Sequence, residues 1–330
     1  MRSLLAAFLV LTGACTLDEA RDTETTVAQD EVTIPSSTTG PPTTLVTTTS
    51  AAVATTPEGV GPTRALVTPT GVVVAVLDET PAGFLVSSPC GTETVVSTGT
   101  PVTSADVVID PGHGGEIDTG AHGANGLIER DLNLTVSQAV EAKLIVRGIP
   151  VLLTRTANYA TTLSVRAALA DAVDAELLLS VHHNAPTPEP SSRPGTEVFI
   201  QHESSDSRRL GGLVWMHVVQ ALSRFDVDWV AAPDAGVLSV LSTRGEDAYG
   251  INRNPETVSV LAELGYISNP AEAGLFTSNA YVEAAAEALA DAIEDYLKTE
   301  EPGSGFVAEP RVFNPQPGIG SRACEDPELE

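Results

Sequence analysis

Val107-Val108-Ile109-Asp110-Pro111-Gly112-His113-Gly114-Gly115 is the stretch on which the fold turns. An apolar run closing on an aspartate reads as a buried strand whose C-terminal end opens into a loop. Pro111 and the glycines stop that strand and let the backbone bend tightly around one imidazole. Open α/β sheets place their ligands at such strand ends. Glu129 follows where a helix begins, in Gly126-Leu127-Ile128-Glu129-Arg130-Asp131-Leu132-Asn133-Leu134. A lone histidine in a glycine-rich loop is more often structural than a ligand, so the rest of the chain has to decide.

Outward from this stretch, apolar strand runs alternate with helical periods. A helix is expected over about 127–146, with Leu132, Val136, Ala139, Val140 and Leu144 at helical spacing and Gly148 ending it. Ile149–Leu153 is expected as a second strand, 163–174 as an alanine-rich helix and Glu176–Val181 as a third strand running into His182-His183-Asn184. A short strand at Val198–Ile200, a helix over 207–224, an irregular stretch over 225–256, a strand at Thr257–Ala262 and a long helix over about 278–298 complete the pattern. This is the signature of a three-layer α/β domain around a mostly parallel sheet. Three strand runs end in groups able to bind metal or move a proton: His113, His182 and Glu263. Parallel strands gather such ends on one edge of the sheet. Two histidines and a carboxylate are a common set for catalytic zinc, and a further carboxylate would serve proton transfer.

The domain resembles the family-3 N-acetylmuramoyl-L-alanine amidases, zinc enzymes that detach stem peptides from the glycan strands of peptidoglycan. The matching stretches are Asp110–Gly115, Glu129–Asn133, Thr154-Arg155, Leu163 with Arg166, Ser180–Ala185 and Leu261–Pro270, in family order across 105–298. The resemblance implies that His113, Glu129 and His182 ligate one Zn2+ per chain and that Glu263 is the catalytic carboxylate. It implies cleavage between the lactyl group of N-acetylmuramic acid and L-alanine.

Three places depart from the family pattern. His183 stands where a small residue is usual; successive strand residues point to opposite faces, so one imidazole alone should face the metal, and Ser-Val-His favours His182. The loop Glu116–Gly120 is one residue longer than usual. Ala262-Glu263-Leu264 differs from the usual neighbourhood of the glutamate. His122, His202 and His217 lack partner spacing and are expected to be structural. Arg155 and Arg166 are expected as ion-pair or hydrogen-bond donors, with a substrate carboxylate as the other role, and Asn184 and Asn269 as loop ties.

Residues 1–15 read as an export signal: Arg2, an apolar core from Leu4 to Leu11, then Gly13 and Ala14 before Cys15. A lipoprotein signal, with Cys15 lipidated and tethered to a membrane, stands beside an ordinary secretory signal. Residues 16–63 are rich in Thr, Ser and Pro and are expected to be a disordered tether. Residues 64–104 hold short β-prone runs, a small N-terminal β accessory to the catalytic domain at 105–300. The tail, 301–330, is expected to be irregular. With Cys15 set aside, Cys90 and Cys324 form a pair in a disulfide-permissive compartment.

The chain carries 44 acidic against 17 basic residues, a formal charge of −27, which argues against nucleic acid as a partner. Peptidoglycan in the cell envelope or outside the cell is the expected substrate, and a monomer is expected; no activator is legible. The competing readings are an inactive wall-binding homologue, which should have lost a ligand or Glu263, and a zinc peptidase acting on free peptides.

Overall fold

The computed structural model of the protein describes residues 61–185, 188–315 and 323–330. The expected signal with Cys15, and the expected tether as far as residue 60, fall outside these residues.

The β-prone runs after residue 64 form one antiparallel sheet. Its strands are β1 (Ala65–Val67), β2 (Val73–Thr80), β3 (Gly83–Ser87), β4 (Glu93–Val96) and β5 (Thr100–Val102), in the order β4-β3-β2-β1-β5. Alternation sets its two faces. Ala65, Val73 and Ala75 pack against the larger sheet with Val108 and Leu152, whereas Leu66, Val74, Val86 and Val96 cluster with Tyr159. Thr156 Oγ1 donates to the Gly71 carbonyl at 2.6 Å, and Thr162 N to Pro89 O at 3.0 Å. The accessory is therefore bonded to the loop preceding the second helix of the main domain.

That domain runs β6 (Val107–Pro111), α1 (Glu129–Val146), β7 (Val151–Leu153), α2 (Leu163–Ala172), β8 (Leu177–Asn184), β9 (Glu189–Ser191), β10 (Glu197–Ile200), α3 (Ser205–Leu222), β11 (Trp229–Ala231), β12 (Val237–Leu241), α4 (Gly250–Arg253), β13 (Ser259–Tyr266), α5 (Pro270–Phe276), α6 (Asn279–Lys298) and β14 (Arg311–Val312). Its sheet has the order β14-β12-β10-β13-β8-β6-β7. Every pairing is parallel except β10 with β13.

Strand parity divides the core. Val107, Ile109, Leu177, Leu179, Val181, Val260 and Ala262 face α1, α3 and α6. Val108, Leu178, Phe199, Leu238 and Leu261 face α2, α4 and the accessory sheet. Burying each of the valine, leucine, isoleucine and phenylalanine side chains among them contributes roughly 1.5–3 kcal/mol. The helices begin where their sequences provide caps: Ser204 accepts from Ser207 N, Ser278 from Tyr281 N, and Asn269 from Ala271 N with Pro270 at the first turn.

One expectation needs correction. The stretch 225–256 is not irregular: it holds β11, β12 and α4. Val237-Leu238-Ser239-Val240-Leu241 is a full sheet strand, and the Asp, Gly and Pro residues around it obscure its apolar run. The described residues of the tail, 301–315 and 323–330, have little regular structure, as expected, but they are bonded to both sheets. Val307 N donates to Val237 O at 2.9 Å, β14 lies parallel to β12, and Cys324 is bonded to Cys90 with their Cα atoms 5.5 Å apart. Asp326 accepts from Cys90 N and from Ser88 Oγ, each at 2.8 Å. The end of the chain thus seats on the accessory sheet.

The disulfide closes a loop of 234 residues. In the chain-entropy account it stabilises by roughly 5.5 kcal/mol. At about 2–4 °C per kcal/mol for a domain of this size, reductant should lower the Tm by roughly 10–20 °C. Cys324→Ser should show the same low Tm and no further response to reductant. Thermal unfolding with and without reductant checks this; an unchanged Tm would show that the bridge carries no stability.

Candidate active site

The C-terminal ends of β6 and β8 meet around one buried carboxylate. Asp110 Oδ1 accepts from Thr154 Oγ1 and from Arg166 Nη1 at 2.6 Å, and Oδ2 from Ser180 Oγ at 2.6 Å. Burial favours its neutral form, but the Arg166 guanidinium and the Ser180 and Thr154 hydroxyls outweigh that and hold its pKa below the usual carboxylate range. Arg166 also donates to the carbonyls of Thr161 (2.9 Å), Pro111 (2.8 Å) and His113 (2.7 Å). Arg155 donates to Pro111 (2.9 Å), Gly112 (2.9 Å), Arg130 (2.7 Å) and Ala157 (3.2 Å). Both arginines therefore act on the backbone of the His113 loop, leaving the structural role as the one the geometry fits.

The loop they hold is tight. His113 has φ +63°, a left-handed conformation uncommon for a residue with a side chain. A Cβ at Gly112 would collide with the His182 ring, and one at Gly120 with Glu129 and His113, so close approach requires glycine at both. The result is convergence. His113 Nε2 lies 3.2 Å from Glu129 Oε2, and His182 Nδ1 lies 3.0 Å from Glu129 Oε1. Ligand atoms of His113, Glu129 and His182 all lie within 4.8 Å of one another, the only such group of three or more among the described residues. Glu129 opens α1 and is buried; Ala121 N donates to its Oε2 at 2.8 Å. Burial would raise its pKa, but the hydrogen bonds and charges of the two imidazoles hold it well below the usual range.

Asp118 is a participant that sequence reading did not single out. Its Oδ1 lies 2.6 Å from His113 Nδ1. It sits in the longer Glu116–Gly120 loop, and that extra length was the one signal available. Burial disfavours a charged His113, yet Asp118 and Glu129 together raise its pKa to about 10. Two anions flanking one imidazole make the position hospitable to a cation, a proton or a metal ion alike.

Parity separates the adjacent histidines. His182 shares a sheet face with Leu178 and Ser180; His183 faces the opposite core. Its Nδ1 lies 2.7 Å from Asn133 Oδ1, its Nε2 2.6 Å from Tyr281 Oη, and its ring packs against Phe276. Burial pushes its pKa down to about 3. It is a neutral core residue, with both nitrogens already bonded.

Glu263 pairs in register with His182 on β8 and with Glu197 on β10, on the same sheet face as Leu261. With His113 and His182 it lines a cleft of about 610 Å³. Its Oε2 is buried without a hydrogen-bond partner. Burial, then the negative charges of Glu129 and Glu197, raise its pKa well above the usual range. A carboxyl in this state suits proton exchange with something in the cleft.

The sequence profile of N-acetylmuramoyl-L-alanine amidases matches residues 107–295, spanning the strands and helices just described. The chain belongs to that family. The amidase is 37% identical over 198 residues to the uncharacterized protein YqiI of Bacillus subtilis (strain 168), covering 59% of this chain and 86% of YqiI. It is 30% identical over 200 residues to N-acetylmuramoyl-L-alanine amidase LytC of the same organism, covering 60% of this chain and 36% of LytC. It thus spans about a third of LytC's length. The crystal structure of N-acetylmuramoyl-L-alanine amidase from Clostridium difficile 630 covers 60% of this chain and all of its own, at 26% identity and a TM-score of 0.50.

In the amidase the remaining candidates lie apart from the cluster. His122 bonds Thr119, His202 bonds Ser239, and His217 pairs with Asp295. Asn269 caps α5 and donates to Asp228 O at 2.7 Å, as a loop tie should. Asn184 donates to Glu197 Oε2 at 2.7 Å, behind Glu263.

His183 carries a pH signature. Unfolded, it binds a proton below about pH 6.5; folded, it stays neutral down to about pH 3. Its contribution is complete above pH 6.5 and is lost as the pH falls from 6.5 towards 3. Between pH 7 and pH 4.5 the metal-free protein should lose on the order of 2 kcal/mol from this residue alone. Urea unfolding of wild type and His183→Gln at both pH values measures it. Equal losses in the two proteins would remove His183 as the cause.

Proposed function

We propose that the protein is a zinc-dependent amidase that hydrolyses the bond between the lactyl group of N-acetylmuramic acid and L-alanine in peptidoglycan. One observation carries this reading: two imidazoles and a carboxylate converge in a cleft whose wall holds Glu263, with a buried oxygen lacking any hydrogen-bond partner. The donor set fits one catalytic zinc held by three protein ligands with a position left open. His113, Glu129 and His182 would be those ligands. Bound there, zinc supplies a Lewis acid for the amide carbonyl and acidifies water.

The chain's own residues supply the rest. Asp118 holds the His113 ring through Nδ1, leaving Nε2 for the metal. Glu263 takes the proton of the attacking water and delivers it to the leaving L-alanine nitrogen. Its place opposite His182, in the wall of the same cleft, puts it within reach of both transfers. Gly112 and Gly120 keep side chains out of the space beside the ligands. The substrate places the enzyme in the cell envelope or outside the cell; lipidation at Cys15 and a tether to the membrane belong to the same proposal. So do a monomeric enzyme and proteolytic release of residues 1–14.

Metal analysis of the purified full chain should find about one zinc, absent from His113→Ala and His182→Ala. His183→Gln should keep it. Glu263→Gln preserves shape and should leave zinc and Tm near wild type, while release of peptides beginning in L-alanine falls by roughly 10²-fold or more. Chromatography of muropeptides measures that release. Equal release by wild type and Glu263→Gln would refute the mechanism. A wild type that binds zinc and sedimenting cell wall but releases nothing would establish the inactive wall-binding homologue instead.

A further inference from the structure

Beside Glu263 lies a second buried carboxylate that the mechanism leaves unused. Glu197, 1% exposed, stands directly opposite Glu263 on the neighbouring strand. Like charges placed so are destabilising, and a buried anion without a partner is more so. Glu197 is nonetheless fully engaged. Its Oε2 accepts from Asn184 Nδ2 at 2.7 Å and from Tyr266 Oη at 2.9 Å, and its Oε1 accepts from Arg311 Nη2. Asn184 ends β8, two residues past His182; Tyr266 ends β13, three residues past Glu263. One carboxylate therefore ties together the ends of the two strands that carry the site.

Its counter-ion comes from outside the family's extent, which stops at residue 295. Arg311 is placed by β14, whose Arg311 and Val312 lie in register with Val240 and Leu241 of β12. Asp234 shares that nitrogen with Glu197, its Oδ1 accepting from Nη2 at 2.7 Å and its Oδ2 from Nε at 3.0 Å. Beyond Arg311, Asn314 accepts from Thr243 N at 3.1 Å and, with Pro315, lines the cleft that contains Glu263. The segment is built against the site.

We propose that Arg311 is a positioning residue of the amidase site: it neutralises and pins Glu197, so that Glu197 can hold the strand ends carrying His182 and Glu263. The role rests on the amidase reading above. Without Arg311, a bare carboxylate would face Glu263 across one strand spacing and would no longer be fixed from the sheet's far side. Glu197→Gln removes that charge and still offers an oxygen to Asn184 and Tyr266. It should therefore rescue kcat as well as Tm after the loss of Arg311, whereas a merely structural contact would move Tm alone.

The test is a double-mutant cycle on the zinc-loaded full chain, with kcat and KM for muropeptide hydrolysis and Tm of the metal-free proteins as separate readouts. Arg311→Met should lower kcat by about tenfold or more with KM within about twofold, and should lower Tm. Arg311→Lys should keep most of the kcat. Glu197→Gln/Arg311→Met should regain kcat and Tm towards those of Glu197→Gln alone. Should Arg311→Met fail to fold, a folded, active double variant supports the role, and failure of both overturns it. Wild-type kcat in Arg311→Met, or losses that simply multiply in the double variant, also overturns it. A wild type that releases no peptides sinks the amidase reading and this role with it, whereas an active wild type with an indifferent Arg311 sinks this role alone.

Discussion

The Asp110–Arg166 ion pair is the constraint from which the catalytic edge follows. β6 has to stop so that its chain can bend around an imidazole in the left-handed region, and stopping leaves carbonyls 111–113 without sheet partners. Buried carbonyls need donors. Arg166 and Arg155 supply them from the side, and Asp110 is the counter-charge that lets Arg166 be buried. Removing one member of such a pair typically costs 3–5 kcal/mol, because the other is left charged and alone. The pair is thus a substitute for the backbone bonds that an uninterrupted strand would have made.

From that edge, strand parity assigns every side chain a task. Asp110, Ser180, His182, Glu197 and Glu263 share a face with Val108, Leu178, Phe199 and Leu261, over which the covering layer is short helices and the accessory sheet. The opposite face is roofed by three long helices, and there His183 is enclosed between α1 and α6. The thinner roof leaves the cleft. Two adjacent imidazoles thus have different surroundings, one facing the cleft and one the helical core, because one residue of register separates them.

Much of this could be read in the sequence, and the parts that could not share a cause. Glycine, proline and apolar runs act locally, so the strand before His113, the helix opened by Glu129 and the alternation that sets His182 against His183 were all legible. Asp118 was visible only as an extra loop residue, since its partnership with His113 depends on the φ of the turn between them. β11 has three residues and gains its pairing from β9, about forty positions earlier. Arg311 finds its partners 114 and 77 residues away, at Glu197 and Asp234. Contacts of that separation leave no periodicity behind.

The same distance effect reconciles a formal charge of −27 with close packing. Glu283, Glu287, Asp291 and Glu294 recur on α6 at spacings of four and three, a stripe that would repel itself on an isolated helix. Lys143 reaches Glu283 and Glu287 from α1, and Arg147 reaches Glu287, Asp291 and Glu294. Lys143 in the last turn of α1 and Arg147 at its C-cap therefore bridge four acids, offset half of their charge and sit favourably at that helix's negative end. These pairs are half-exposed and individually weak, yet they join the helix that begins at Glu129 to the helix that encloses His183. Four of the chain's cations stand where acids converge: Lys143 and Arg147 at the seam between α1 and α6, Arg166 behind the His113 loop, and Arg311 opposite Glu197.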